Sequence, residues 1–466
     1  MKSFDDFRNK LIENNRKEFG MLYDQLRKIS YYRAVEAEDE RLSLLESLHE
    51  KLKYEFNQTK PYAYSVSPGC RLCGAGEWSC LFINNRCNCH CFYCPVAQTN
   101  DRLPETQGLS FSTPEPYIAY LQRFGFKGAS ISGGEPLLSF DLTLDFITKI
   151  KRTFGDQIYL WLYTNGKLLT ESMAGKMANA GLDEIRFDLS ATSYNTRFLK
   201  KALKVIPQVT VEIPAIPEDF EKLKKAVREL EQLNVSFLNL HEMRLTPFNL
   251  NNLVNRNYTF RHGHKMTVLE SEMTSLKILQ FVLNNDLQLP VNYCSFHYKN
   301  HFQKAGFRRK FGEAVLEAGE EITANGYIRK IAIEASNNEI CGQMQDFSGN
   351  ALSGELVPDH EGKKIIIKKD LLGKITLDNC KATINYFTVQ LSDQPVENSI
   401  MIYPDNGKPL YLKRMPTTSS IIVDEEIRED VFGLMNGRET EAVSYSDTLF
   451  SVAQHEIPAK GMGDYY

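Results

Sequence analysis

Seven of the ten cysteines of this 466-residue chain lie between Cys70 and Cys94, and no other feature restricts its fold and chemistry as tightly. The amino terminus, Met-Lys-Ser-Phe-Asp-Asp-Phe, lacks the apolar stretch of a secretory signal, so the expected compartment is the cytoplasm. Thiols stay reduced there, and crowded cysteines then point to metal ligation rather than disulfides. A hydrophobic content of 42% with 24% charged residues suits a globular protein, and no uninterrupted apolar run is long enough to cross a bilayer. The formal net charge of −4 gives no global attraction to nucleic acid.

Residues 1–58 are rich in Glu, Lys, Arg and Leu, and Phe7, Leu11, Phe19, Leu22, Leu26 and Ile29 recur near helical spacing, which predicts a helical N-terminal segment. Residues 59–315 alternate short apolar runs with amphipathic stretches, the pattern of β-α units around a parallel sheet. Six strands are predicted, at Cys80–Asn84, Ala129–Ser132, Ile158–Tyr163, Glu184–Leu189, Val209–Ile213 and Phe237–Leu240. Helices are predicted at about 114–124, 141–154, 170–180, 195–205, 219–233 and 271–284, supplying the crossovers that parallel strands need. The fold class is therefore α/β, either a partial barrel or a doubly wound sheet. Residues 316–466 predict a mostly β appendage, with strands at Tyr327–Ile333, Lys363–Lys368, Lys374–Leu377, Ala382–Leu391, Ile400–Tyr403 and Ile421–Val423.

Within the crowded segment, Cys87, Cys91 and Cys94 are spaced CxxxCxxC, with Cys89 off the spacing. Three thiolates on one loop can hold three irons of a cubane cluster and leave the fourth open to another ligand. Zinc uses the same residue types but usually draws two pairs from separate knuckles and closes tetrahedrally. The loop follows the apolar run Leu81-Phe-Ile and carries Tyr93 just before its last cysteine. That combination resembles the radical S-adenosylmethionine (SAM) superfamily over about residues 66–310. The resemblance implies a partial (β/α)6 TIM-like barrel with the loop after its first strand, a [4Fe–4S] cluster on Cys87, Cys91 and Cys94, and SAM as cofactor. Gly133 and Gly134, before Glu135 and Pro136, match the family's GGEP element near the cofactor's amino group, where glycine permits close approach. Tyr93, Glu135, Asn165, Arg186, Asp188, Ser190, Glu212, Ile213 and His241 fall where the resemblance implies cofactor contacts.

The strands carry a separate physical signal. Arg186, Asp188 and Ser190 alternate with Ile185, Phe187 and Leu189, and Glu212, Asn239 and His241 stand among apolar neighbours, so one face of the sheet is polar. Such groups inside a barrel bind a ligand or one another, and internal Arg186–Asp188 or Arg186–Glu212 pairs are the structural alternative to cofactor contact.

Cys70 and Cys73 form a CxxC pair beside Gly69 and Gly74, and Cys294 sits in Tyr-Cys-Ser; none is needed for the first cluster. With the runs Ala180–Arg186 and Glu212–Pro217, these elements resemble archaeal and bacterial proteins related to pyruvate formate-lyase activating enzymes. If Cys70, Cys73 and Cys294 converge, they would hold a second iron–sulfur cluster, with Cys80 or Cys341 as fourth ligand; a small zinc site or inert buried thiols are the alternatives. Cys89 is expected not to be a ligand. His90, His262, His264 and His297 are read as surface or hydrogen-bonded residues, and His241 is the histidine to test.

Taken together, the chain reads as an enzyme that reductively cleaves SAM to a 5′-deoxyadenosyl radical, fed by an external electron donor such as flavodoxin or ferredoxin. The expected substrate is a peptide or protein side chain, by analogy with the activating enzymes. Alternatives are a small metabolite or an RNA base as substrate, and a nonenzymatic iron–sulfur electron-transfer protein.

Overall fold

The computed structural model describes residues 2–98, 102–335, 356–358, 364–377, 380–404, 408–438 and 446–466. The chain divides into two compact units, one of Arg8–Gln303, Tyr403–Lys408 and Lys460–Tyr466, the other of Met1–Phe7, Lys304–Ile402 and Pro409–Ala459.

In the larger unit all six expected strands form, and a seventh, Val291–Cys294, joins them in parallel beside Phe237–His241. Seven parallel strands thus run Trp78–Phe82, Gly128–Ser132, Tyr159–Thr164, Glu184–Phe187, Gln208–Pro214, Phe237–His241 and Val291–Cys294. They neighbour one another strictly in sequence order. A doubly wound sheet reverses its order at a switch point, so this order selects the partial barrel. The antiparallel strands Lys60–Ala63 and Glu105–Thr106 occupy the two edges of the parallel array. Edges are thereby paired rather than left to template association.

Helices Pro114–Arg123, Phe140–Phe154, Glu171–Asn179, Phe220–Gln232 and Leu269–Asn284 fill the expected crossovers. The helix expected over 195–205 is reduced to a single 3-10 turn, Leu199–Lys201. Leu81, Ile131, Leu160, Leu162, Ile185, Phe187, Val211, Ile213, Leu238 and Leu240, which alternate with the inward side chains, are fully buried. The strand expected to reach Leu189 ends at Phe187, because Ser190–Thr192 turns into a 3-10 helix.

The N-terminal segment folds as helices, as its spacing predicts, and also adds the strand Lys53–Glu55. Phe19, Tyr23 and Leu26 pack with Tyr258, Phe260 and Val268 in an apolar cluster that Phe92 and Tyr93 of the cysteine loop join. This part of the segment is therefore a support for the loop.

The smaller unit is built on an eight-stranded sheet whose pairings are all antiparallel, in which Ile328–Ala335 and Cys380–Ser392 form the centre. Ile331, Ile333, Ile384 and Tyr386 pack with Val431 and Leu434 of helix Glu425–Met435 and Val452 of helix Asp447–Glu456. Leu410–Pro416 is a strand that the sequence reading omitted. Lys374–Leu377, expected as a strand, instead leaves the short helix Lys369–Leu372, and the Leu377 amide donates to Glu425 at 2.7 Å. Gly373 fixes that exit, since a Cβ there would meet the Phe432 ring at 2.6 Å. No described helix is long and apolar enough to cross a membrane.

Candidate active site

The inward face of the parallel sheet and the loops at the carboxyl ends of its strands enclose one cavity of about 480 Å³. Carboxyl ends of parallel barrel strands are where this architecture collects functional loops. Cys87, Cys91 and Cys94 line the cavity, and so do Cys70, Cys73 and Cys294.

The first loop follows Trp78–Phe82. The Cys94 amide donates to the Cys91 carbonyl at 3.0 Å, closing a tight turn, and Asn249 Nδ2 donates to the Tyr93 carbonyl at 3.0 Å. Arg256 stacks over Phe92 at 3.5 Å from the ring centroid. Burial pushes the Cys87 thiol up to about 11 and Cys91 up to about 12. Asn165 Nδ2 lies 3.9 Å from Cys87 Sγ and Gln98 Nε2 3.7 Å from Cys94 Sγ, donor positions that suit sulfur carrying negative charge. Cys89 is buried in the same loop, and its thiol points to the Ala191 carbonyl at 3.8 Å.

Gly133 and Gly134 form the adjoining wall. A Cβ on Gly133, whose φ is +127°, would lie 2.3 Å from the Asn84 carbonyl oxygen, and one on Gly134 would lie 1.9 Å from that of Arg86. The glycines are thus required by the backbone leading into the cysteine loop itself. Glu135 lies behind this wall, almost wholly buried. Its carboxylate accepts from the amides of Leu137 (3.0 Å) and Asn165 (2.8 Å) and from the Thr164 hydroxyl (2.8 Å). It fixes the Asn165 turn rather than lining the cavity. Ile213 is likewise buried outside the lining, while Pro214 reaches it.

Tyr93 donates to Asp188 at 3.0 Å, and its hydroxyl also meets the Ser190 hydroxyl at 2.5 Å. Burial raises the Asp188 carboxyl despite the Ser190 and Tyr93 hydrogen bonds. Arg186 makes the pairing anticipated with Glu212, at 2.7 Å, but not with Asp188; its second carboxylate is Glu184, at 3.0 Å. Residues 184 and 186 share a face, and Glu184 is fully buried. Arg186 also donates to Tyr163, to Ser67 and, at 3.7 Å, to Cys70 Sγ. Burial alone would raise Glu212, but Arg186 and the Asn239 amide outweigh it and hold it down at about 2. His241 is driven down to about 4 by burial and then by Lys299, so its imidazole is neutral at pH 7.

Cys70 and Cys73 sit on helix Pro68–Ala75, capped by Ser67, which accepts from the Cys70 amide. Gly69 lets this helix approach the lumen, because a Cβ there would lie 2.3 Å from Arg186. Cys294 ends the seventh strand opposite His241 in register. Between these thiols stands Lys60, 1% exposed, its ammonium 4.5 Å from the Tyr298 ring centroid. Burial alone would lower Lys60, but Cys294, Cys70, Cys73 and Glu212, in that order, outweigh it and raise it. Gln303 Nε2 donates to Cys73 Sγ at 3.0 Å, and the buried Tyr298 hydroxyl has no hydrogen-bond partner among the described residues.

The donor type of both thiol sets suits iron–sulfur ligation. Burial raises Cys70 and Cys73, disfavouring free thiolates, while a buried ammonium is costly without an anion. Thiolates bound to a metal cluster would answer both demands. Among the described residues no three His, Cys, Asp or Glu side chains converge closely enough to hold a single metal ion. The fit therefore rests on donor type and on the shared cavity. Cys80 also lines the cavity, its thiol raised to about 12 by burial, whereas Cys341 lies outside the described residues.

Residues 81–236 match the model of the Radical SAM superfamily. This stretch is a radical SAM domain. A Methanocaldococcus jannaschii protein whose name puts it among glycyl-radical enzyme activating enzymes is 25% identical over 337 residues, 69% of this chain and 88% of that protein. The GTP 3′,8-cyclase of Aliarcobacter butzleri is 35% identical over 114 residues, 24% of this chain and 34% of its own. Among solved structures, Streptococcus suis SuiB bound to SAM aligns over 69% of this chain and 70% of SuiB, at 13% identity and a TM-score of 0.36. The domain match and the M. jannaschii relative together indicate an enzyme, and the domain implies a [4Fe–4S] cluster and SAM.

Lys60, Glu184, Tyr163, Asn239, Asn292, Tyr298 and Gln303 were not singled out by the sequence reading. Lys60 has no local signal at all, since it becomes notable only when Cys294 is brought beside it. Of the histidines, His262 is hydrogen-bonded to Tyr23 and Asn15 at 3.2 Å, in keeping with a structural role.

Proposed function

We propose that this enzyme holds its SAM-cleaving cluster on Cys87, Cys91 and Cys94 and a second iron–sulfur cluster on Cys70, Cys73 and Cys294, and that it acts on a peptide or protein side chain. The observation that carries the reading is one cavity lined by both thiol sets, with fully buried Lys60 among the second. When bound, the first cluster and SAM supply a 5′-deoxyadenosyl radical that removes a hydrogen atom from the substrate. The chain's own residues orient and enclose. Asn165 and Gln98 direct amides at the loop sulfurs, Asp188 holds the Tyr93 hydroxyl against the loop, and the Arg186–Glu212–Asn239 network keeps the lumen wall rigid and polar. Neutral His241 offers a hydrogen-bonding group beside Cys294. The second cluster would bind substrate or take the electron left after hydrogen abstraction.

The substrate class draws support from the M. jannaschii relative, which the chain spans at 88% of its length and whose name joins it to glycyl-radical enzymes. Anaerobic reconstitution with iron and sulfide counting tests the two-cluster reading. About eight irons per chain support it, and about four in the wild type remove the second cluster. For the substrate class, incubation with SAM, reductant and peptides from a tryptic digest should leave deuterium from labelled peptide in 5′-deoxyadenosine. Label transfer only from small metabolites or RNA would overturn it.

A further inference from the structure

Seven Asp, Glu, Lys and Arg side chains line the cavity; among the described residues four of them are hydrogen-bonded within the protein, and a fifth, Lys60, stands among the thiols. Arg186 is held by Glu184 and Glu212, and Lys60 stands among three thiols. Glu242 accepts from Arg261 and from the Phe296 amide, and Asp188 accepts from Tyr93 and Ser190. Arg244 and Lys299 are the two left over. Among the described residues neither side chain makes a hydrogen bond or a close ion pair, and the carboxylates that act on them, Glu212 on Lys299 and Glu18 on Arg244, are engaged elsewhere. Both stand over one ring: the Arg244 guanidinium carbon is 5.5 Å and Lys299 Nζ 4.7 Å from the centroid of Phe296. All three residues line the cavity.

This arrangement is costly as it stands. Two cations meet a single ring in a half-buried wall, where desolvation disfavours charge. Burial lowers Arg244, opposed by Glu18, which is itself engaged with Lys265 at 3.0 Å. An anion seated beside this ring, within reach of both cations, would relieve that cost. Guanidinium offers a planar fork of donors and ammonium a point charge, a pairing suited to oxygens of one oxyanion. Arg244 and Lys299 follow the sixth and seventh parallel strands, whereas the cysteine loop and the Gly133–Gly134 wall follow the first and second. The cations thus belong to the other end of the strand order from the first loop.

We propose that the substrate carries an oxyanion, a carboxylate or a phosphate, gripped by Arg244 and Lys299, with the apolar part next to it packed on Phe296. This rests on the cavity being the reaction chamber of the radical SAM enzyme. The test is isothermal titration of the reconstituted, SAM-loaded protein with inorganic pyrophosphate and, separately, with tricarballylate, repeated on an Arg244→Gln/Lys299→Met variant. At least one anion should bind the wild type, which of them separating phosphate from carboxylate, and the variant should bind it at least about tenfold more weakly. Lys299→Met alone, which removes no hydrogen bond or close ion pair among the described residues, should give an intermediate loss. Binding of neither anion, or equal binding by both variants and the wild type, overturns the proposal. So does loss of SAM affinity in the variants, which would assign the cations to the cofactor's own carboxylate. Since SAM loading is verified before any anion is added, failure of the cofactor reading shows at that earlier step.

Discussion

The two thiol sets share one cavity but are built differently. Cys87, Cys91 and Cys94 come from eight consecutive residues on a loop, and what holds that loop is mainly neutral: an apolar cluster, a turn, and side-chain amides. Cys70, Cys73 and Cys294 come from a helix and a distant strand, and what holds them is charge: Lys60 among the sulfurs and Arg186 on Cys70. On the proposed two-cluster reading, the difference teaches that a cluster meant to exchange a ligand can sit on a compact loop open to its reactant, whereas a second held by buried thiols would need compensating cations fixed by the fold.

The largest effect should come from the loop. Cys91→Ala is expected to lower 5′-deoxyadenosine formation by at least about a thousandfold, because no neighbouring group replaces a missing cluster ligand. Retention of substantial cleavage would separate the loop from the reaction and break the comparison. Next, Cys73→Ala should reduce iron from about eight to about four per chain, read by chemical iron analysis. An unchanged count would mean that the second set is only buried thiol.

Charge at the second set can be removed by itself. Arg186→Met leaves Glu184 and Glu212 without their buried counter-charge and should cost about 3–5 kcal/mol in urea unfolding. A loss below about 1 kcal/mol would show that water answers those carboxylates. Lys60→Met should lower the second cluster's reduction potential, on the order of tens of millivolts in a potentiometric titration, since a nearby cation favours the reduced, more negative form. No shift would put Lys60 outside that cluster's field.

The smallest effect belongs to the loop's support. His262, which ties Tyr23 and Asn15 together, is held at about 4 by burial and then by Lys28, against 6.5 when unfolded. The unfolded chain therefore binds this proton first, and the stability that the neutral ring provides is full above about pH 6.5 and lost as pH falls toward 4. Thermal melts between pH 7.5 and 5 should show that slope, and His262→Gln should flatten it.

Much of this was legible in the sequence because it is local. Spacing alone delivers the cysteine loop, and period-2 alternation delivers the polar lumen face at Arg186, Glu212 and Asn239. Strand order came from counting β-α units, yet Val291–Cys294 escaped because only four residues mark it. What the sequence hid depends on contacts across the barrel. Arg186 chose Glu184 over Asp188, since Asp188 lies past the strand end and is taken by Tyr93. Glu135, expected as a cofactor contact, stands outside the cavity lining and accepts from the Asn165 amide, whereas Gly133 and Gly134 do line it. Lys60 is separated by more than two hundred residues from Cys294, so no window of sequence could join them.

The most direct test of the central claim is electron paramagnetic resonance of the reduced, reconstituted enzyme with and without SAM. A cluster with an open iron on Cys87, Cys91 and Cys94 predicts that SAM changes the g-values of one signal, and that this change is absent in Cys91→Ala. A spectrum indifferent to SAM would contradict the account and leave an electron-transfer protein in its place.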